Sequence, residues 1–376
     1  MRYRNVCLEA FGYTIPDEIV TSAEIEARLA PLYQRLKLPE GRLELITGIR
    51  ERRFWARGTL PSTNSVISAE KALAASGIDR SEIGALIHAS VCRDYLEPAT
   101  STVVHHRLGL GPRCLIYDVS NACLGFMNGL VQLANMIELG QIRAGIVVAS
   151  EGSRELVENT IEALNADMSL TRQNVKLAVA SLTIGSGSVA AVVVDRELSR
   201  TGNRILGAVA RTNTSLSDLC HSGRDEAVAG EMRPLMQTDS EKLLLAGVEL
   251  ARETFEEFLV ELDWTRETID KSFCHQVGVA HRKMLFEALE LNPGIDYGTV
   301  ETLGNTGSVA LPTAAAIGIE QGHLASGDQV AMLGIGSGIN SLMLAVDWQR
   351  SLIEQTNQRS NESLAGAVTA QGKDPA

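Results

Sequence analysis

No stretch of this sequence approaches the roughly 20 consecutive apolar residues that a membrane-spanning helix needs, so no membrane span is expected. Nor does a charged leader precede a short apolar core. Met1-Arg-Tyr-Arg-Asn-Val6 runs straight into a strand-like segment, and no signal peptide is read there. The six cysteines form no Cys-x-x-Cys pair, which argues against a zinc site and a disulfide framework. Positive charge is also in deficit. With 34 Lys and Arg against 46 Asp and Glu, the formal net charge is −12, so nucleic acid is not an expected partner, although a local basic patch remains open. The cytoplasm is the expected compartment. What is present is a 376-residue chain, 45% hydrophobic and 21% charged, with enough material for one large or two ordinary domains.

The chain is organised around Tyr117-Asp-Val-Ser-Asn-Ala-Cys-Leu-Gly-Phe-Met-Asn-Gly129. It reads as a short strand at 115–119, a small-residue turn, and a helix beginning at Cys123. A thiol there meets the positive end of the helix dipole and unpaired backbone N–H groups. Both favour the reactive thiolate. The alternative is a buried cysteine acting as a small hydrophobe.

Other strands are expected at 4–10, 83–91, 145–150, 187–195, 203–213 and 272–277. Helices are expected at 22–37 (opened by Thr21-Ser22 with Glu24), at 63–76 with a stop at Gly77, up to Leu108, and at 239–262. Residues 214–237 read as a long irregular loop. The helical, polar stretch at 153–180 reads as an insertion, and the tail after 352 as disordered.

An internal echo sets the organisation. Asn121-Ala-Cys-Leu-Gly, a helix, Glu138-Leu-Gly140 and a strand from Ile146 are matched by Asn305-Thr-Gly-Ser-Val, a helix, Glu320-Gln-Gly322 and a strand from Val330. Both the asparagines and the strand starts are 184 positions apart. Ile-Gly-Ser-Gly occurs at 184–187 and again at 335–338, an offset of 151, and the shortfall is about the length of the odd stretch near 153–180. Two α/β halves on one plan follow: 1–200 carrying the cysteine and the insertion, 201–350, and a polar tail at 351–376.

A reactive cysteine needs a proton acceptor and a means of holding an oxyanion. His275, ending a strand in Phe273-Cys-His-Gln276, and Asn305, in the turn Leu303-Gly-Asn-Thr-Gly307, supply those chemistries. Each also has a structural reading, His275 as a satisfied core histidine and Asn305 as a turn residue tolerating left-handed backbone. His105-His106 has no third ligand in sight, so no metal is expected. The glycines of Gly334-x-Gly336-x-Gly338 precede an apolar strand rather than a helix, so they form no dinucleotide fingerprint.

Together Asn121-Ala-Cys123-Leu-Gly-Phe, His275-Gln276, Gly304-Asn305-Thr, Gly334-Ile-Gly-Ser-Gly338 and Gly48-Ile-Arg-Glu-Arg52 resemble the thiolase superfamily, and within it the ketoacyl-synthase III type of condensing enzyme. The resemblance spans about 1–348. It implies the duplicated five-layer αβαβα thiolase fold with a helical insertion in the first half, normally as a homodimer. It further implies that Cys123 is acylated, that His275 and Asn305 activate and hold the second substrate, and that the Cys123 and Ser337 N–H groups form the oxyanion hole. Arg93-Asp-Tyr-Leu-Glu97-Pro-Ala-Thr and Gly334-Ile-Gly-Ser-Gly-Ile-Asn340 are most similar to the OleA-type branch, which condenses acyl-CoAs at the start of bacterial long-chain olefin biosynthesis. There the glutamate, here Glu97, serves as a base in the partner subunit's site. Such a base is needed because condensation without loss of carbon dioxide removes an unactivated α-proton. His275-Gln-Val-Gly-Val-Ala-His281-Arg282 departs from the family's His-Gln-x-x-x-Arg, which puts the coenzyme A contacts in question. Arg50, Arg52, Arg53 and Arg282 are the available phosphate-binding cations.

The resulting expectation is an acyltransferase joining two acyl thioesters, from coenzyme A or an acyl carrier protein, by Claisen condensation with no cofactor beyond the thioester. The runner-up is a decarboxylating synthase III using a malonyl thioester. A non-catalytic acyl-binding relative is disfavoured by the intact Cys123, His275 and Asn305 set.

Overall fold

A computed structural model describes residues 1–222 and 236–352. The expected tail therefore lies, apart from Ser351 and Leu352, outside the described residues. The first half supplies β1 (Val6–Thr14), a ribbon of β2 (Glu18–Thr21) and β3 (Glu51–Phe54), then β4 (Ile83–His88), β5 (Leu115–Asp118), β6 (Ala144–Glu151) and β7 (Gly187–Asp195). The second supplies β8 (Arg204–Thr212), a ribbon of β9 (Cys220–Ser222) and β10 (Met236–Thr238), then β11 (Lys271–Cys274), β12 (Gln329–Gly336) and β13 (Asn340–Asp347).

Nine of these strands form one sheet in the order β11-β12-β13-β8-β1-β7-β6-β4-β5. From β1 outward the order is first, last, penultimate and second strand of that half. From β8 outward it is the same. The strand matching β5 shrinks in the second half to a parallel bridge between Ser272 and Asp296. The halves join where Cys7 of β1 pairs with Arg204 of β8.

Strands β6 and β7 are buried almost end to end, and their runs of Ile, Val and Ala suit a sheet covered on both faces. Between the sheet surfaces of the two halves lie helices Gly125–Glu138 and Ala310–Glu320, sharing one core through residues such as Phe126, Leu130, Ala314 and Val330. Helices Pro61–Ser76 and Thr100–Leu108 cover the outer face of the first half. Ser240–Leu262 and Val279–Leu289 cover that of the second. The layers are αβαβα. Full burial of each Leu or Phe contributes about 1.5–3 kcal/mol, which makes these sandwiched faces the main source of stability.

Three local expectations are corrected. The helix at 22–37 is two helices, Ser22–Arg28 and Ala30–Leu36, broken at Leu29 because Pro31 fits only a first turn. The loop at 214–237 contains the short ribbon β9–β10, with residues 223–235 outside the described set. The helix after the cysteine starts two residues later than expected, at Gly125.

The stretch at 153–180 forms helices Arg154–Ala166 and Arg172–Lys176, which pack on Ile25, Leu29, Leu32 and Phe54. It and the N-terminal helices thus make a separate apolar cluster beside the layered core. Among the described residues no helix is long and apolar enough to cross a membrane.

Candidate active site

Cys123 sits in a tight turn, not in the helix. Ala122 takes a left-handed φ of +45°, and Asn121 and Cys123 bridge one another. The Asn121 amide is tied to Asn128 at 2.7 Å and to Asn340 at 3.4 Å, which anchors the turn to both halves. Behind it runs β12. A Cβ on Gly336 would come within 3.1 Å of Leu124 Cγ and 3.6 Å of the Cys123 nitrogen, and one on Gly334 within 2.6 Å of Leu124 Cδ2. Only glycines let this strand lie so close to the cysteine turn.

The backbone N–H dipoles of Ser337 and of Cys123 itself face the Cys123 sulphur. These lower its pKa, but burial, with Cys220 and Glu151 nearby, raises it further, to about 12. The expected bias toward the thiolate is therefore outweighed by burial. The dipole of a helix that begins beyond the cysteine is too small to offset desolvation, which favours the thiol.

His275 continues the β11 ladder, its N–H donating to Leu333 of β12 at 3.0 Å. The residue is 2% exposed, and neither ring nitrogen has a partner among the described residues. Burial and the neighbouring His281 push its pKa down to about 3, so the imidazole is neutral. His281 itself is held at about 4 by burial, with Nδ1 unpartnered. Gln276 has a structural task. Its amide oxygen accepts the Thr299 and Val300 N–H groups at 2.8 and 2.9 Å, and its NH2 donates to the Tyr297 carbonyl, fixing the segment that leads to Asn305.

Asn305 is buried and clamped through its backbone, accepting from Gly185 at 2.9 Å and donating to Thr183 at 3.0 Å. A Cβ on Gly185 would lie 1.9 Å from the Leu303 carbonyl. The two Ile-Gly-Ser-Gly tetrads thus serve crosswise: the first half's tetrad backs the Asn305 turn, the second half's backs Cys123.

Glu97 is exposed and makes no hydrogen bond or ion pair among the described residues. Its loop is nevertheless pinned. Asp94 accepts from the Ser62 N–H at 2.9 Å, and its own N–H donates to Thr100 Oγ1 at 3.1 Å. Asp118 accepts from the Thr100 and Ser101 N–H groups at 2.7 and 2.9 Å. Val91, Tyr95 and Leu96 on this loop are exposed apolar side chains.

The four arginines separate. Arg52 is fully buried, donates to Ser22 Oγ and the Val20 carbonyl, and is lowered by burial to about 10. Arg282 is locked to Asp296 at 2.6 Å, and Asp296 in turn accepts from the Cys274 N–H. Arg52 thus presents no surface to a phosphate, whereas Arg282, about a quarter exposed, is already paired with a carboxylate. Arg53 is half-buried and lies 3.5 Å from Glu51. Arg50 is exposed, with no side-chain partner among the described residues.

Sequence reasoning missed Glu151, a buried carboxylate ending β6 and held above its ordinary pKa by burial. A lone acidic residue closing a run of buried positions was the available signal. Among the described residues no group of three or more His, Cys, Asp or Glu could hold a metal ion.

Residues 259–348 match the family described as 3-oxoacyl-[acyl-carrier-protein (ACP)] synthase III C terminal. The acyl-CoA:acyl-CoA alkyltransferase of Shewanella oneidensis is 44% identical over 351 residues, 93% of this chain and 100% of the relative. The protein of the same name from Xanthomonas campestris pv. campestris is 35% identical over 93% of this chain and 100% of its own. Solved structures of Xanthomonas campestris OleA carrying single substitutions of a glutamate or of a cysteine superimpose with a TM-score of 0.87 at 34% identity, covering 93% of this chain and 98% of theirs. With its layered fold, its cysteine turn and this full-length similarity, the chain belongs to the acyl-CoA:acyl-CoA alkyltransferase family of thiolase-fold, synthase III-like condensing enzymes.

Proposed function

We propose that this acyltransferase joins two fatty acyl-CoAs by a non-decarboxylating Claisen condensation. The observation that carries the reading is the close seat of the 334–338 glycine strand against the Cys123 turn, with a Cβ on Gly336 only 3.6 Å from the Cys123 nitrogen, which leaves the Ser337 and Cys123 N–H dipoles facing the sulphur. Donors so placed receive the oxyanion of a thioester under attack. Cys123 displaces coenzyme A from the first acyl-CoA and becomes acylated. The α-carbon of a second acyl-CoA loses a proton and attacks the acyl-Cys123 carbonyl. This forms the new C–C bond and releases β-ketoacyl-CoA and the Cys123 sulphur. His275 and Asn305 hold the enolate oxygen.

The proton is assigned to Glu97 of the partner subunit. Glu97 stands 26 positions before Cys123, the spacing also found between the glutamate and the cysteine substituted in the Xanthomonas campestris OleA structures. A homodimer is supported by the unpaired outer edge of β5, with Leu115 exposed on it, and by the apolar side chains of the neighbouring Glu97 loop. Arg50 is the cation assigned to the coenzyme A phosphates. A cytoplasmic location is supported by six free cysteines.

The second reading, a decarboxylating synthase III, is favoured by the C-terminal family match. One experiment separates the two: supply a long-chain acyl-CoA alone and follow protein and product by mass spectrometry. The proposal expects an acyl adduct on Cys123, then β-ketoacyl-CoA without carbon dioxide. A strict requirement for a malonyl thioester would hand the assignment to the second reading. Adducts on Cys92 or Cys274 would remove the nucleophile assignment.

A further inference from the structure

Glu151 is 6% exposed and forms no salt bridge among the described residues. Burying such a carboxylate costs several kcal/mol unless hydrogen bonds offset it. Three do, and they come from two functional loops. Oε1 accepts from the Val91 N–H at 2.9 Å and from Ser308 Oγ at 2.5 Å, while Oε2 accepts from the Cys92 N–H at 3.1 Å. Val91 and Cys92 open the loop that carries Glu97. Ser308 closes the turn that carries Asn305, and a Cβ on Gly307 would lie 3.6 Å from Glu151 Cγ.

We infer that Glu151 is a positioning residue for condensation, one carboxylate fixing both the Glu97 loop and the Asn305 turn. This rests on the functional reading above and adds a residue to the same site. Because Glu97 is assigned to the neighbouring subunit's site, Glu151 links the enolate-holding turn of one site to the base lent to the other. The hydrogen bonds tolerate either protonation state. When the carboxyl is ionised Ser308 donates to it, and when it is protonated Ser308 can accept, with both backbone donors retained in each case.

The test uses the full chain and separates the two half-reactions. Glu151→Gln keeps an acceptor for Val91 and Ser308 but turns an NH2 toward the Cys92 N–H, donor against donor. Ser308→Ala cuts only the tie to the Asn305 turn. Acylation of Cys123 by a long-chain acyl-CoA is timed by intact-protein mass spectrometry, and condensation is measured on pre-acylated enzyme. For Glu151→Gln, acylation is expected at or above the wild-type rate, since the carboxylate that raises the Cys123 pKa is gone, and condensation down about tenfold or more, in kcat rather than KM. Ser308→Ala should show the same division more weakly, and it decides the matter if Glu151→Gln does not fold. Equal loss of both steps, loss of acylation alone, or condensation within about twofold of wild type in both variants overturns the assignment. Wild-type enzyme that acylates but forms no β-ketoacyl product overturns the parent reading instead.

Discussion

Asn305 gives its side-chain oxygen to the Gly307 N–H at 3.0 Å, which leaves its NH2 as the end that can meet a substrate. Held this way the residue is a hydrogen-bond donor. Asn305→Asp keeps the shape and the Gly307 contact but puts a second acceptor where the proposed mechanism places the enolate oxygen. Condensation is expected to fall by about 10²–10³-fold, the usual loss on removing one oxyanion donor. Acylation of Cys123 should fall much less. Single-turnover measurement of each step checks this.

His275 is neutral, so the part proposed for it is to donate from one ring nitrogen rather than to carry charge. His275→Ala is expected to acylate Cys123 yet condense poorly. Loss of acylation with normal condensation of pre-acylated enzyme would reverse the assignment.

The same histidine makes stability depend on pH. Its folded pKa of about 3 lies below the ordinary 6.5. Between those values the unfolded chain binds a proton that the folded chain does not, so stability falls as pH drops from about 6.5 toward about 3. Urea unfolding at pH 7 and pH 5 should show the loss, and His275→Gln should reduce the slope. An unchanged slope in the variant would place the proton uptake elsewhere.

Glu97 tests the division of labour between subunits. Glu97→Ala should leave Cys123 acylation nearly intact and cut condensation by about 10²–10⁴-fold, the worth of a general base. Mixed dimers of a Glu97→Ala chain with a Cys123→Ala chain should retain one working site. Native condensation rates in Glu97→Ala would eliminate the glutamate as base.

The arginines make a contrasting pair. Arg50→Ala should raise KM for acyl-CoA several-fold with little change in stability, since its side chain is exposed and has no partner among the described residues. Arg52→Ala should lower stability by about 1–3 kcal/mol, because it strips the partner from buried Ser22 and the Val20 carbonyl. Thermal melts beside acyl-CoA titrations distinguish the two.

The sequence by itself determined two α/β halves on one plan and singled out Cys123, His275 and Asn305, while the layering came only as what the family resemblance implies. Hydrophobic runs, glycine turns and the 184-position echo are local patterns that survive without knowledge of contacts. It also marked both Ile-Gly-Ser-Gly tetrads, but not their crosswise use, since Gly185 meets Leu303 and Gly336 meets Leu124 only once the halves are docked. The tertiary structure alone decided the electrostatics. Whether Cys123 rests as thiol or thiolate, and whether Arg52 and Arg282 are free or spent, depends on burial and on partners far away in sequence. Glu151 was hidden for the same reason: its donors at Val91, Cys92 and Ser308 lie 60, 59 and 157 positions away, and no local pattern records distances of that kind.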